Sequence, residues 1–312
     1  MKRVLYSAIG VFNNIFKINV FVYIRTKEAA SKTKVERRRA AIHFLWELLM
    51  ISVREMLYLL GGLLAVGFLL AFLERLSNTF LYRAFGTKGI LFTAWLGTPI
   101  HELGHALMCV LFLHRIREIK FFQWNSPDGV LGYVSHEYNR GSVYQSAGNF
   151  FIGIAPVLMG IASLILGMHV LLPHSYHAFI SGAETGMRGY SSAEDMVENT
   201  FESMMVLLKQ IFTGGNLLRP SFWLFLYISM CISSHIALST EDMKGAWRGL
   251  VVLFGLLVLF NAASAIFNYN TLPAVMRIAK YNAYLLSFSS AAILFSILTV
   301  LISYAIYKVK TG

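Results

Sequence analysis

The chain has 312 residues, of which 56% are hydrophobic and 14% are charged, and its mean hydropathy is +0.60. This composition excludes an ordinary soluble globular domain and indicates an integral membrane protein. The formal net charge is +11. The positive residues follow the membrane side of the loops and form no binding module, so no nucleic-acid partner is expected. Cys109 and Cys231 fall inside apolar stretches and predict no disulfide framework.

The N-terminal part of the chain is basic and interrupted by polar residues. Residues 1–24 contain Asn13, Asn14 and Lys17 and lack a small-residue cleavage site, which predicts an interfacial segment and not a signal peptide. The basic run at residues 25–39 suits contact with anionic lipid, and an ordinary positively charged flank explains it equally well. We therefore predict a cytoplasmic or interfacial segment at residues 1–55 and a polytopic membrane domain at residues 56–312.

Six apolar stretches are long enough to cross a bilayer as helices. They are residues 56–73, 89–113, 150–172, 221–238, 250–267 and 284–307. With the N-terminus in the cytoplasm, most of the 27 Lys and Arg residues fall in cytoplasmic segments. The expected fold class is an all-α, multi-pass integral membrane protein, placed in the cell membrane with both termini cytoplasmic. Small residues in the third span predict direct packing against the second.

The second span carries the sequence His101-Glu102-Leu103-Gly104-His105. In a helix, His101 and His105 lie one turn apart on one face and can share one Zn²⁺, while Glu102 lies beside them as a candidate general base. Ionisable groups at membrane depth are costly and usually functional. The alternative, in which these residues only fill space in the protein core, requires burying three polar groups without a ligand.

The residues after this signature change from helical to alternating periodicity. Residues 118–124 and 130–136, separated by a turn, predict a β-hairpin. Its exposed edge suits an extended peptide bound by strand addition, and a simple connector is an equally good interpretation. Further along the chain, the spacing of apolar residues predicts an amphipathic helix over residues 191–212, either on the membrane or packed at the rim of the bundle.

A catalytic zinc site requires a third protein ligand and one open position for water. Polar residues cluster at the cytoplasmic end of the fourth predicted span, in the same half of the membrane as the two histidines. We predict Asp242 as the third ligand, with Glu241 and His235 as alternatives. Asn149, in the third span, is predicted either as a substrate-binding residue or as a hydrogen-bonding residue between helices.

These features together resemble the site-2 protease family of intramembrane zinc metalloproteases. The resemblance covers residues 89–249 and rests on the histidine motif, the hairpin, the small-residue span with Gly148-Asn149 and Ala155-Pro156, and the later acid. It implies a zinc ion held by His101, His105 and Asp242, with Glu102 as general base. The chain departs from the family because Asp242 is followed by Met243 and not by glycine, which indicates a divergent branch.

The function expected from this resemblance is cleavage of membrane-spanning or membrane-tethered polypeptides within the lipid bilayer. Two other functions fit the sequence. A zinc peptidase of the prenyl-protein protease type would take Glu194 or Glu198 as its third ligand. A non-enzymatic scaffold or transporter-like bundle would carry a structural or vestigial metal site.

Overall fold

A computed structural model describes residues 34–124, 129–187, 193–267 and 269–311. The described chain is mostly helical and contains one small antiparallel sheet. The helices and strands are α1 (Lys34–Phe85), α2 (Thr87–Leu111), β1 (Arg115–Lys120), β2 (Tyr133–Glu137), α3 (Val143–Leu171), α4 (Pro173–Met187), α5 (Ala193–Ile211), α6 (Gly214–Leu217), α7 (Pro220–Ser233), α8 (Thr240–Ile266) and α9 (Leu272–Thr311). The predicted interfacial segment at residues 1–24 and the turn at residues 125–128 lie outside the described residues.

Four of the described helices are long and apolar enough to cross a membrane. They contain Val35–Phe85, Val143–Leu171, Thr240–Ile266 and Tyr284–Thr311. These four helices support the prediction of a membrane protein, but they are fewer than the six spans that the sequence predicts. Helix α2 has 25 residues, and the histidines, glutamate and threonines of the signature region lower its mean hydropathy. Helix α7 has only 14 residues, which gives a length of about 21 Å.

The first span is longer than the sequence predicts. Helix α1 continues without a break to Phe85, so most of the interval between the first two predicted spans is helical. The connection to α2 is Gly86 alone, which has φ 63°. Glycine adopts a positive φ without steric cost, so the chain passes from α1 to α2 within a single residue.

The chain divides into two compact units, and α1, α8 and α9 each contribute to both. Among the described residues, the first unit comprises residues 34–59 and 254–277. It contains a buried polar cluster in which Glu55 accepts hydrogen bonds from Asn261 Nδ2 at 2.7 Å and from Thr271 Oγ1 at 2.6 Å. The expected boundary at residues 55 and 56 falls within α1.

The second unit comprises residues 60–253 together with residues from 278 onward. Its core is formed by α1, α3, α4, α5, α7 and α9, and fully buried side chains include Leu70, Leu164, Phe179, Phe225 and Phe295. Leu207 and Ile211 of α5 are fully buried in this core. The predicted amphipathic helix therefore exists and packs its apolar face against the bundle. Cys109 and Cys231 are buried and free, as expected.

The hairpin exists but is displaced from its predicted position. Strand β1 begins at Arg115, directly after the end of α2, and pairs antiparallel with β2 from Arg115↔Glu137 to Lys120↔Tyr133. The predicted strand residues 121–124 and 130–132 lie beyond the ladder. There Gln123 donates from its backbone N to Leu131 O at 2.8 Å and from its Nε2 to Val130 O at 2.7 Å, while Leu131 and Gly132 border a cavity.

The fourth and fifth predicted spans have different boundaries from those expected. Helix α7 ends at Ser233, and a non-helical turn at residues 234–239 leads into α8. Ser239 Oγ accepts the amide of Asp242 at 3.1 Å, while Asp242 Oδ2 accepts the amide of Ser239 at 2.8 Å. This reciprocal pair caps the N-terminus of α8. Asp242 therefore lies in the first turn of α8 and not at the end of the fourth span.

Candidate metal centre

His101 and His105 lie one turn apart in the C-terminal half of α2. Their Nε2 atoms are 3.1 Å apart, and His105 is only 7% exposed. The helix is packed closely on both sides of this pair. Gly97, one turn earlier, lies against the Cys231 carbonyl and His235, so α7 and the following turn approach α2 closely. On another side, α3 packs directly against α2, as the sequence predicts.

Backbone carbonyls orient both imidazole rings. His101 Nδ1 donates to the His235 carbonyl at 2.8 Å, and His105 Nδ1 donates to the Ile152 carbonyl at 2.8 Å. Because a carbonyl only accepts hydrogen bonds, each Nδ1 must carry the proton in the neutral ring. Both Nε2 atoms then present lone pairs, which is the tautomer that a histidine metal ligand requires.

Asp242 completes the cluster from the first turn of α8. Its Oδ1 is 3.0 Å from His105 Nε2, and its Oδ2 is 3.4 Å from His101 Nε2. Asp242 follows His105 by 137 positions in sequence, but the ligand atoms of the three residues lie within 4.8 Å of one another. They form a cluster that could hold a metal ion, and Asp242 as third ligand stays a prediction.

The chemistry of this cluster fits a cation. Two nitrogen lone pairs and a carboxylate point at one another, an arrangement that is repulsive unless a proton or metal ion lies between them. Ligand atoms about 2.0–2.2 Å from a tetrahedral zinc ion are roughly 3.3–3.5 Å apart. The separations here are 3.0–3.4 Å. Imidazole and carboxylate ligands suit Zn²⁺ and related divalent metals, so the donor set alone does not distinguish among them.

Glu102 lies beside this cluster and lines a cavity of about 450 Å³. It is 6% exposed. In the described part of the chain its carboxylate makes no hydrogen bond, so its oxygens remain available to a water molecule or substrate in the cavity. The cavity is bordered by α1, α2, the far end of the hairpin and the turn before α8, including Glu74, Thr98, His101, Gly132 and Ser239. Glu102 is therefore placed as a candidate general base.

The alternative third ligands have other contacts. His235 uses its carbonyl for His101, and its ring Nε2 lies 2.9 Å from Thr93 Oγ1. It supports a ligand and does not replace one. Glu241 is exposed on the opposite side of the same helical turn and pairs with Lys244 at 2.6 Å. Neither residue occupies the position between the two histidines.

Asn149 is buried in α3, and its Nδ2 donates to the carbonyl of Ser146 in the same helix at 3.2 Å. Asn149 is not among the described residues that line the cavity. This contact belongs to neither of the two predicted roles, and substrate binding by Asn149 stays a prediction.

A second pair of histidines lies in the hairpin. His114 Nε2 donates to the Gln145 carbonyl at 2.8 Å, so its Nδ1 accepts from His136 Nδ1 at 3.0 Å when both rings are neutral. Burial lowers the pKa of His136 to about 4, and the neighbouring histidines add to this effect. This pair links β2 to the end of α2 and to the start of α3.

Glu74 was not predicted as a site residue, yet it borders the same cavity. It lies in α1, within the sequence Leu-Glu-Arg-Leu that follows the first predicted span. The available signal was an acidic residue in a long apolar helix, which is unusual enough to indicate a specific role. The predicted helix end at Leu73 concealed it.

Comparisons with protein-family models, curated proteins and solved structures find no match to this chain. The resemblance to the site-2 protease family therefore stays a prediction carried by the residues of this chain.

Proposed function

We propose that this protein is an intramembrane zinc metalloprotease of a divergent site-2 protease type. The observation that carries the proposal is the convergence of His101, His105 and Asp242 on one point beside the carboxylate of Glu102. Two imidazoles and one carboxylate leave a fourth position open, which is the donor set of a catalytic and not a structural zinc site.

Each residue has a defined role in the proposed reaction. His101, His105 and Asp242 would hold the metal, which when bound supplies the Lewis acidity that lowers the pKa of water and polarises a carbonyl. Glu102 accepts the proton of the attacking water and passes it to the leaving amine. The carbonyls of Ile152 and His235 keep the imidazole rings in the ligating tautomer.

The proposed substrate is a membrane-spanning or membrane-tethered polypeptide. A helical substrate hides its carbonyls in backbone hydrogen bonds, so it must unwind locally before cleavage. The cavity suits this requirement because non-ladder residues of the hairpin, including Gly132, border it together with Glu102. An extended peptide would bind along this edge of the hairpin by strand addition.

The Glu102→Gln variant tests the catalytic role. Glutamine keeps the shape of the side chain but does not accept a proton, so cleavage should fall by about 100-fold or more. Zinc content should stay close to that of the wild type, because Glu102 is not a ligand. The measurement is cleavage of a single-span reporter protein with a proline in its membrane helix, with both proteins reconstituted in liposomes and zinc measured in parallel. Retained cleavage in the variant ends this assignment.

The two rival functions make different predictions in the same experiment. A peptidase with Glu194 or Glu198 as third ligand would keep its zinc when Asp242 is replaced; Glu198 is exposed on α5, whereas Asp242 lies within 3.4 Å of both histidines. An empty scaffold would bind no zinc in the wild type. Stoichiometric zinc that disappears in His101→Ala would exclude the empty scaffold without proving proteolysis.

We also propose the finer membrane arrangement. Helices α1, α2, α3 and α9 would each cross the cell membrane, and α7 and α8 would share one crossing. Both termini would not then face the cytoplasm, because Lys310 Nζ lies 4.1 Å from the centroid of the Phe85 ring and the C-terminal ends of α1 and α9 lie side by side. The basic residues before α1 support a cytoplasmic N-terminus.

A further inference from the structure

Glu74 of α1 forms a hydrogen bond with the turn between α7 and α8. Its Oε2 accepts the backbone amide of Ala237 at 2.9 Å. Ala237 is 7% exposed and lies in the non-helical turn between α7 and α8, where no intrahelical partner satisfies its N–H group. An unpaired buried amide is costly, so Glu74 fixes the position of this turn relative to α1.

This turn holds the backbone groups that orient two of the three candidate ligands. Two residues before Ala237, the carbonyl of His235 accepts the Nδ1 proton of His101 at 2.8 Å. Two residues after it, the amide of Ser239 donates to Asp242 Oδ2 at 2.8 Å. Ala237 is thus the midpoint between the two contacts, and its own amide is tied to Glu74.

We propose that Glu74 is a positioning residue of the metal centre, which acts by holding the turn at residues 235–239 in the conformation that aims His101 and Asp242 at one metal ion. This inference rests on the proposed metal centre but adds a residue from a different helix. Glu74 also borders the cavity that Glu102 lines.

A hydrogen-bonding role and a purely electrostatic role predict different variants to fail. Gln keeps an oxygen that accepts the Ala237 amide but is unable to ionise. Asp keeps an ionisable carboxyl group but is shorter by one methylene group, so it no longer reaches an amide that Glu74 contacts at 2.9 Å. Ala removes both. If Glu74 acts through the Ala237 amide, Glu74→Gln should therefore keep the zinc affinity that Glu74→Asp and Glu74→Ala lose.

The experiment measures metal affinity of the full-length protein in detergent. Zinc is titrated against a competing chelator, and Co²⁺ is used as a spectroscopic probe of the coordination geometry. The variants are Glu74→Gln, Glu74→Asp and Glu74→Ala. The control is Thr299→Val, which removes a buried hydroxyl bonded to Ser233 at 3.2 Å, just before the same turn, without touching any group that contacts a ligand.

We expect Glu74→Gln and Thr299→Val to bind zinc like the wild type and to give its Co²⁺ spectrum. Glu74→Asp and Glu74→Ala should bind about 10- to 100-fold more weakly, the usual effect of losing a group that orients metal ligands, and should change the spectrum. If Glu74→Ala does not fold, the comparison of Glu74→Asp with Glu74→Gln decides.

Two results overturn the inference, and they differ in what else they exclude. Wild-type affinity in Glu74→Asp and Glu74→Ala, or a loss in Glu74→Gln as large as that in Glu74→Ala, rejects the role of Glu74 and leaves the metal centre in place. A wild-type protein that binds neither Zn²⁺ nor Co²⁺ rejects the metal centre, and the role of Glu74 with it.

Discussion

The ligating state of the candidate site is determined by backbone groups and not only by the side chains that would hold the metal. A free histidine in water exchanges between two tautomers. It binds a metal only when the proton is on the ring nitrogen that does not face the metal. Here the carbonyls of Ile152 and His235 select this tautomer in both rings. These two hydrogen bonds restrict the rotation of the rings, which lowers the cost of ordering them as ligands.

Asp242 and its neighbour Glu241 offer a matched pair for testing the third ligand. Asp242→Asn keeps an oxygen that can accept the Ser239 amide and cap α8, but it removes the anionic ligand. Zinc affinity should fall by at least the 10- to 100-fold that is typical of groups outside the ligand set. Glu241→Gln only breaks an exposed pair with Lys244, so its affinity should be unchanged.

A chelator competition assay on both variants measures this difference. Equal zinc affinity in Asp242→Asn and the wild type would mean that another residue is the third ligand.

At the residue scale, local patterns were readable from the sequence and distant partners were not. The histidine pair and Glu102 follow from helical spacing alone. The capping relation of Ser239 and Asp242 is also local, and it could have placed Asp242 at the start of a helix. The contact of Glu74 with Ala237 joins positions 163 residues apart and depends on how α1 lies against the turn, which no spacing rule gives.

Among the elements, the distance between α2 and α7 controls the site. A Cβ atom at Gly97 would overlap the carbonyl oxygen of Cys231 and come within 2.7 Å of His235 Cβ. Since one of these is a backbone atom, a change of side-chain rotamer gives no relief. The helices approach this closely only because position 97 is glycine, and the approach brings the His235 carbonyl to His101.

Gly97→Ala should therefore destabilise the protein by about 1–3 kcal/mol and weaken zinc binding, because α7 and the His235 carbonyl must move away from α2. Gly67→Ala in α1 is the matched control. Its new Cβ would meet Leu238 Cδ1 at an ordinary 3.5 Å, and alanine favours a helix by about 1 kcal/mol over glycine.

Thermal unfolding in detergent and zinc titration measure the two effects. If Gly97→Ala unfolds at the same temperature as the wild type, the close approach of α2 and α7 does not depend on the absence of a side chain at position 97.

The boundaries of the elements explain most of the differences between sequence and structure. Hydropathy locates apolar stretches, but it does not locate the end of a helix whose last turns consist of polar residues. Helix α1 therefore runs past Leu73 to Phe85, and α8 begins at Thr240 and not at residue 250. The hairpin is displaced because a strand exists only where a partner pairs with it, and the ladder runs from Arg115↔Glu137 to Lys120↔Tyr133 and no further.

For the whole molecule, the length of α7 bears on how many times the chain crosses the bilayer. Its 14 residues extend about 21 Å, which is less than the roughly 30 Å of a hydrocarbon core. The turn at residues 234–239 follows it, and Ser234, Ile236 and Ala237 are buried within the protein. Non-helical backbone is tolerated at membrane depth when protein covers it, so α7, the turn and α8 can share one crossing.

This arrangement predicts which side of the membrane each connection faces. From the hairpin to the C-terminus the chain would cross three times, through α3, through α7 together with α8, and through α9, so Lys120 and Lys310 should face opposite sides. Lys88, near the Gly86 turn, should face the same side as Lys310, whose Nζ lies 4.1 Å from the centroid of the Phe85 ring. If α7 and α8 each cross, Lys120 and Lys310 would face the same side.

Single cysteines at these exposed positions test the arrangement directly. Both native cysteines are 0% exposed, so the wild type should stay unlabelled by a membrane-impermeant maleimide. In intact cells Lys88→Cys and Lys310→Cys should react, whereas Lys120→Cys should react only after permeabilisation. A Lys310→Cys protein that, like Lys120→Cys, reacts only after permeabilisation would show that α7 and α8 each cross the membrane.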